Sequence, residues 1–176
     1  IEKLVKRYGD LVALNHLNLD IKEGEIFGLL GPNGSGKTTA INCLLSLLKY
    51  DKGDIEIFGQ KMTPDNYEVK QQIGIVLQNV AVFDELTVSE NIDYFCGLYI
   101  HDKNRRRELV EEAIRFVGLE DYRKTRLQKL SGGLLRGLTI ACGIAPKQRL
   151  IILNDQHVAA AAQSCITILA AIQGLN

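Results

Sequence analysis

Ile26-Phe27-Gly28-Leu29-Leu30-Gly31-Pro32-Asn33-Gly34-Ser35-Gly36-Lys37-Thr38-Thr39 is the stretch that decides the architecture of this chain. Residues Ile26 to Leu30 form an apolar run of buried-strand length, and a helical pattern is predicted over Thr38 to Leu48. Between them, Gly31 to Thr38 fits G-x-x-x-x-G-K-[ST] in the strand, loop, helix order that gives this spacing its meaning. Glycines let the backbone fold tightly, so that successive N–H groups converge at a helix N-terminus and favour an anion there. Lys37 is then placed to reach the β- and γ-phosphates of a nucleoside triphosphate and the Thr38 hydroxyl to ligate Mg²⁺. Asn33, Gly34, Ser35, Gly36 and Thr39 complete the cradle.

Around this loop, strands and helices alternate. Strand-like alternation runs from Leu17 to Ile21, and apolar stretches of strand length cover Ile55 to Phe58, Ile73 to Leu77 and Leu150 to Leu153. Helical patterns cover Val88 to Leu98, Lys103 to Val117, Gly132 to Ala145 and Gln163 to Ile172, while Lys61 to Glu68 reads as loop. Thr87 with Glu90 forms a capping box before the first of these helices, and Gly118 is placed to close the second as its C′ residue. The expected fold is α/β: one domain over 1–176 with a mainly parallel sheet, N-terminal antiparallel strands and a helical insert from about 83 to 126.

Composition narrows the function classes. The chain has 176 residues, 46% of them hydrophobic, enough for one well-buried domain. Lys plus Arg and Asp plus Glu both total 21, so no net field draws it to nucleic acid. The run Arg105-Arg106-Arg107 is offset by Glu108, Glu111 and Glu112 on the same helix, which reads as a solvated face. Cys43, Cys96, Cys142 and Cys165 lack metal-ligand spacing and read as small buried apolar residues. His16, His101 and His157 read as loop or surface residues. No apolar run approaches the roughly 18 residues of a membrane helix, and Ile1 to Arg7 lack the shape of a signal peptide, so a cytosolic location is expected.

Three further features follow in a fixed order. Tyr8 precedes the phosphate loop, Gln78 follows the strand that starts at Ile73, and Leu130-Ser131-Gly132-Gly133 opens a helix. With the loop, they resemble the ATP-binding domain of ABC transporters, from the strand carrying Tyr8 to about Ala162. The resemblance implies that Tyr8 stacks on adenine and that Gln78 contacts Mg²⁺ or water and senses the γ-phosphate. It implies a head-to-tail dimer with itself or a homologue, in which Ser131 and Gly133, with Gly132 between them, cover the ATP held by the other subunit. A transmembrane permease subunit, met through the insert Phe83 to Leu119 at the cytoplasmic face of the membrane, completes the implied assembly. Leu86-Thr87-Val88-Ser89-Glu90-Asn91 and the Leu130 region resemble subunits that drive export.

The distal segment departs from the family's pattern, which has an apolar strand ending in Asp-Glu. Here Asn154-Asp155 stand in that place. Asn154 lacks the carboxylate that helps hold the Mg²⁺ shell, and Asp155 is one methylene shorter than the expected base. A register shifted by one makes Asp155 the magnesium residue and Gln156 the base. Either way, slow hydrolysis with retained nucleotide binding is expected. Ala161 stands where the family has a further Asp, His157 lies too early for its switch histidine, and Gln148 and Gln156 replace prolines. Leu134-Leu135 replaces polar or basic residues. These features suggest a motor with a degenerate or truncated distal part. The alternatives are a nucleotide-binding regulator with little turnover, or a soluble family relative in translation or DNA repair. The absence of sustained heptads between Lys37 and Ser131 argues against a repair relative.

Overall fold

Strands β1 (Glu2–Tyr8) and β2 (Leu11–Leu17) form an antiparallel hairpin in which Tyr8 faces Leu11 across a Gly9-Asp10 turn, with φ of 57° at Gly9. This corrects the strand expected from Leu17 to Ile21: β2 lies ahead of it, over Leu11–Leu17, and Leu17 pairs with Leu4 as its last residue. Leu17, Leu19 and Ile21 pack in partly buried positions on the core, and Leu19 still pairs with the chain start: its N–H donates to Ile1 O at 3.0 Å and its O accepts from the Ile1 amino group at 2.8 Å. In the computed structural model, residues 1–76, 82–155 and 163–170 are described, with 154, 155 and 163–170 as backbone.

Strand β3 (Ile26–Pro32) begins the main sheet. Helix α1 (Lys37–Leu44) follows, then β4 (Lys52–Asp54), which pairs with the free side of β1. The strand expected at Ile55 to Phe58 is a short hairpin of β5 (Glu56–Ile57) and β6 (Gln60–Lys61). Phe58 and Gly59 both take positive φ at its turn, 55° and 74°, as a tight two-residue turn requires. Within the stretch expected to be loop, Asn66 Oδ1 accepts from Val69 N–H at 3.1 Å and starts the one-turn helix α2 (Tyr67–Lys70).

Helix α1 stops well before Leu48. Ser46 takes φ of 53°, its N–H donates to Cys43 O at 3.0 Å, and Leu47 N–H donates to Asn42 O at 2.9 Å, a Schellman closure with serine at C′. Leu44, Leu45, Leu47 and Leu48 are apolar all round, so periodicity alone does not mark this end. Gly118 closes the longer helix in the same way, as its sequence position predicts.

Strands β7 (Ile73–Val76), β8 (Leu150–Asp155) and β9 (Gln163–Ala170) complete the sheet in the order β3-β9-β8-β7. Strand β8 is parallel to β7, and β9 is antiparallel to β8 and β3, so β3, β7 and β8 point the same way. The helix expected from Gln163 to Ile172 is thus a strand over Gln163–Ala170. Ile166-Thr167-Ile168 is a β-branched run that favours extended backbone, and β3 and β8 pair with it on its two sides.

Helices α3 (Val88–Gly97), α4 (Lys103–Phe116) and α5 (Gly132–Ile144) pack on one another around a second core that includes Ile92, Ile114 and Leu138. The capping box of α3 forms: Thr87 N–H donates to Glu90 Oε2 at 2.8 Å and Glu90 N–H to Thr87 Oγ1 at 3.3 Å. The Thr87 hydroxyl also donates to Glu90 Oε2, at 2.7 Å, and the two donations from Thr87, main-chain first, lower the Glu90 pKa. Cys43, Cys96 and Cys142 are buried free thiols, and burial pushes Cys96 up to about 11 and Cys142 up to about 12. They remain neutral at physiological pH, as apolar packing requires.

Helix α5 meets β7 at a seam of small residues. A Cβ on Gly74 would lie 3.0 Å from Gly143 O, and one on Gly143 would collide with Val76. Gln148 is buried beside this seam, and its Oε1 has no hydrogen-bond partner among the described residues. An orphaned buried acceptor costs about 1–3 kcal/mol. Gln148→Leu is therefore expected to raise unfolding free energy by about 1 kcal/mol, read as a higher urea midpoint with unchanged slope. A lowered midpoint contradicts this account.

Candidate nucleotide site

The phosphate loop leaves β3 at Pro32 and enters α1 at Lys37. Gly34 and Gly36 take φ of 82° and 91°, and Ser35 N–H donates to Pro32 O at 3.2 Å. Gly36 is the N-cap of α1 and carries no capping side chain, and the first turn holds no acidic residue. The first N–H groups of the helix therefore have no partner within it. Lys37 is buried, with 8% of its surface exposed. Its Nζ donates to Gly31 O at 2.8 Å, Pro32 O at 2.6 Å and Ser35 Oγ at 3.3 Å. A Cβ on Gly31 would stand 2.8 Å from Ser35 Oγ and 3.9 Å from Lys37 Nζ, so this glycine keeps the lysine's nest open. Thr38 is exposed on the first turn, which leaves its hydroxyl accessible.

The N-terminal hairpin fixes the loop from the side. A Cβ on Gly36 would lie 2.5 Å from Ala13 O and 3.1 Å from Leu14 Cδ2 of β2. Ala13 and Leu14 had no sequence signal as site neighbours; only the close approach reveals them. Gly36→Ala is expected to destabilise the protein by at least about 2 kcal/mol, from left-handed strain plus the collision, and to weaken nucleotide binding. Denaturant unfolding reads the first effect; a midpoint equal to that of the parent would refute it. Tyr8, at the tip of the hairpin, is 48% exposed, and Lys6 Nζ stands 5.1 Å from its ring centroid.

The acidic positions share the loop's end of the sheet. Leu30 and Asp155 both face Cys165 across β9, and Leu29 and Asn154 both face Ile166. Two strand spacings put the backbones of β8 and β3 about 10 Å apart at this level. Gln78, Gln156, His157 and Ala161 lie outside the described residues. Ser131 caps α5, its Oγ accepting from Leu134 N–H at 3.4 Å. Gly132 and Gly133 are exposed, with no atom of the described residues within 4 Å of the place of a Cβ. This second helix N-terminus is exposed among the described residues. Leu134 packs against the helical core, which explains an apolar residue there; nothing explains the exposed Leu135.

A buried lysine inside a glycine loop, between a strand and an uncapped helix, defines the phosphate-loop class of α/β nucleotide-binding proteins. The model of the family described as ABC transporter matches residues 14–157, and the chain belongs to that family. Over 175 residues it is 33% identical to the linearmycin resistance ATP-binding protein LnrL of Bacillus subtilis (strain 168), covering 99% of this chain and 56% of that protein. A probable sulfate/thiosulfate import ATP-binding protein of Chlorella vulgaris is 36% identical, over 90% of this chain and 67% of its own length. A Nod factor export ATP-binding protein of Burkholderia orbicola is 35% identical, over 85% and 49%. Among solved structures, a dimeric ATP-binding cassette in a post-hydrolysis state, bound to ADP and Pi, matches with a TM-score of 0.71 and 27% identity, over 92% of this chain and 75% of that one. The chain spans about half of the first of these relatives.

Proposed function

We propose that this chain is the ATP-binding motor unit of an ABC membrane transporter, coupling Mg·ATP binding and hydrolysis to movement of a substrate. The observation that carries the reading is the Lys37 nest: an ammonium held by Gly31 O, Pro32 O and Ser35 Oγ beside an uncapped helix N-terminus. This donor set fits a polyphosphate, with Lys37 and the N–H groups of residues 33–39 as its binding groups. Thr38 is exposed as a magnesium ligand should be, with Gln78 and Asn154 as the further candidates and Asp155 as the weakened base. Magnesium, when bound, neutralises phosphate charge. Tyr8 offers an exposed ring for the adenine, with the Lys6 ammonium 5.1 Å from its centroid.

In this reading Ser131, Gly132 and Gly133 serve the nucleotide of a second subunit. Their exposure at the end of α5 supports that role, as does the dimeric state of the solved relative. The unit works on a permease at the cytoplasmic side of a membrane. No helix among the described residues is long and apolar enough to cross one. Export is the direction we favour, on the Leu86 to Asn91 run and the Nod factor relative, although an import relative is equally similar. Calorimetric titration with ATP, with and without Mg²⁺, tests the nucleotide reading; no magnesium-dependent binding by folded protein overturns it. The sign of ATP-driven flux in vesicles holding the permease tests the direction.

A further inference from the structure

Asn91 is fully buried on α3 beside Val88 and Ile92, although it carries a carboxamide. The chain that precedes the helix satisfies it. Oδ1 accepts from Phe83 N–H at 2.8 Å, and Nδ2 donates to Phe83 O at 3.1 Å and Thr87 O at 3.0 Å. Leu86 O, at 3.4 Å, shares one of these donors. A single side chain thus closes both main-chain groups of Phe83. The same helix holds the Phe83 ring, whose centroid is 4.8 Å from that of Tyr94 edge to face and 6.0 Å from that of Phe95. An apolar residue could fill the space but would leave the Phe83 groups and two carbonyls without this partner.

Phe83 lies where the chain arriving from β7, through a connection that contains Gln78, joins the helical body. Helix α3 packs on α5, whose first turn carries Ser131 to Gly133. We infer that Asn91 is a positioning residue, which locks the turn over residues 83–87 to α3 and so makes the helical body respond to nucleotide held at the phosphate loop. The inference rests on the nucleotide reading above and adds to it the side chain that joins the two regions. Leu86 N–H closes the turn on Phe83 O at 3.1 Å and the Thr87–Glu90 box holds its far end, while Asn91 ties the Phe83 N–H at its start to the helix.

Hydrogen–deuterium exchange of the full chain, with and without Mg·ATP, tests this in Asn91→Ala and Asn91→Asp, the second of which keeps the acceptor and the shape but loses the Nδ2 donors. In the parent protein, Mg·ATP is expected to slow exchange over residues 82–97 by about 10-fold. In both variants ATP affinity is expected to stay within about 3-fold while that slowing falls below about 2-fold. If the alanine variant fails to fold, the aspartate variant decides. Phe83→Ala retains the latch and keeps most of the response. A folded variant at position 91 with the full slowing overturns the inference, as does a parent protein that binds ATP without any slowing there. A parent that binds no ATP overturns the nucleotide reading instead.

Discussion

Lys37→Ala lowers the affinity for Mg·ATP by at least about 10²-fold, because the ammonium makes charge-assisted contacts to phosphate worth about 1.5–3 kcal/mol each and two such contacts are lost. The present geometry explains why this loss is specific. Nζ is satisfied by two loop carbonyls and a hydroxyl, so it is already aimed into the loop before any ligand binds. Pro32 and Ser35 are exposed, and water can replace the ammonium on their oxygens. The fold is therefore expected to survive, with a melting midpoint within about 4 °C of the parent. Isothermal titration calorimetry of both proteins reads the affinity, and equal dissociation constants would remove the phosphate-loop site.

Asn154→Asp combined with Asp155→Glu raises ATP turnover by about 10²-fold or more, with little change in nucleotide affinity. On the proposed reading, position 154 gains a carboxylate where the magnesium shell is expected, and position 155 gains a side chain up to about 1.5 Å longer. The sheet register gives both changes a target: the end of β8 stands level with the last residues of β3 before the loop. Phosphate release under saturating Mg·ATP is the measurement. A flat rate with intact ATP binding would sink the repaired-motor reading and favour the nucleotide-binding regulator.

What the sequence makes legible follows the strength of local rules. The loop from Gly31 to Thr38 combines spacing, flanks and chemistry, so it is readable without coordinates. The start of α3 at Thr87 and the end of α4 at Gly118 are set by caps, and both are found where the residues put them. Elements whose limits depend on distant partners are less readable. Gln163–Ala170 pairs with β3 and β8, neither of which is its neighbour in sequence, and its apolar spacing suits a helix as well. The early end of α1 rests on Ser46 in a conformation usually left to glycine. Of the site, the loop and its lysine were legible in the spacing, whereas the bonds of Lys37 to Gly31 O and Pro32 O and the pressure of β2 on Gly36 required the coordinates. Asn91 left one faint trace, a polar residue within the buried stripe of Val88, Ile92 and Cys96.

The glycine seam between α5 and β7 bears on how the two cores can move. Side chains that interdigitate act as teeth and oppose lateral travel, because their packing must be broken before it is remade. At Gly143 the Val76 side chain fills the notch where a Cβ would stand, and the Gln148 side chain lies against Gly74, so the seam carries a tooth on each side. The junction therefore opposes lateral travel as well as wedging. The strand and the helix are expected to shift as one piece, handing any displacement of the sheet on to α5.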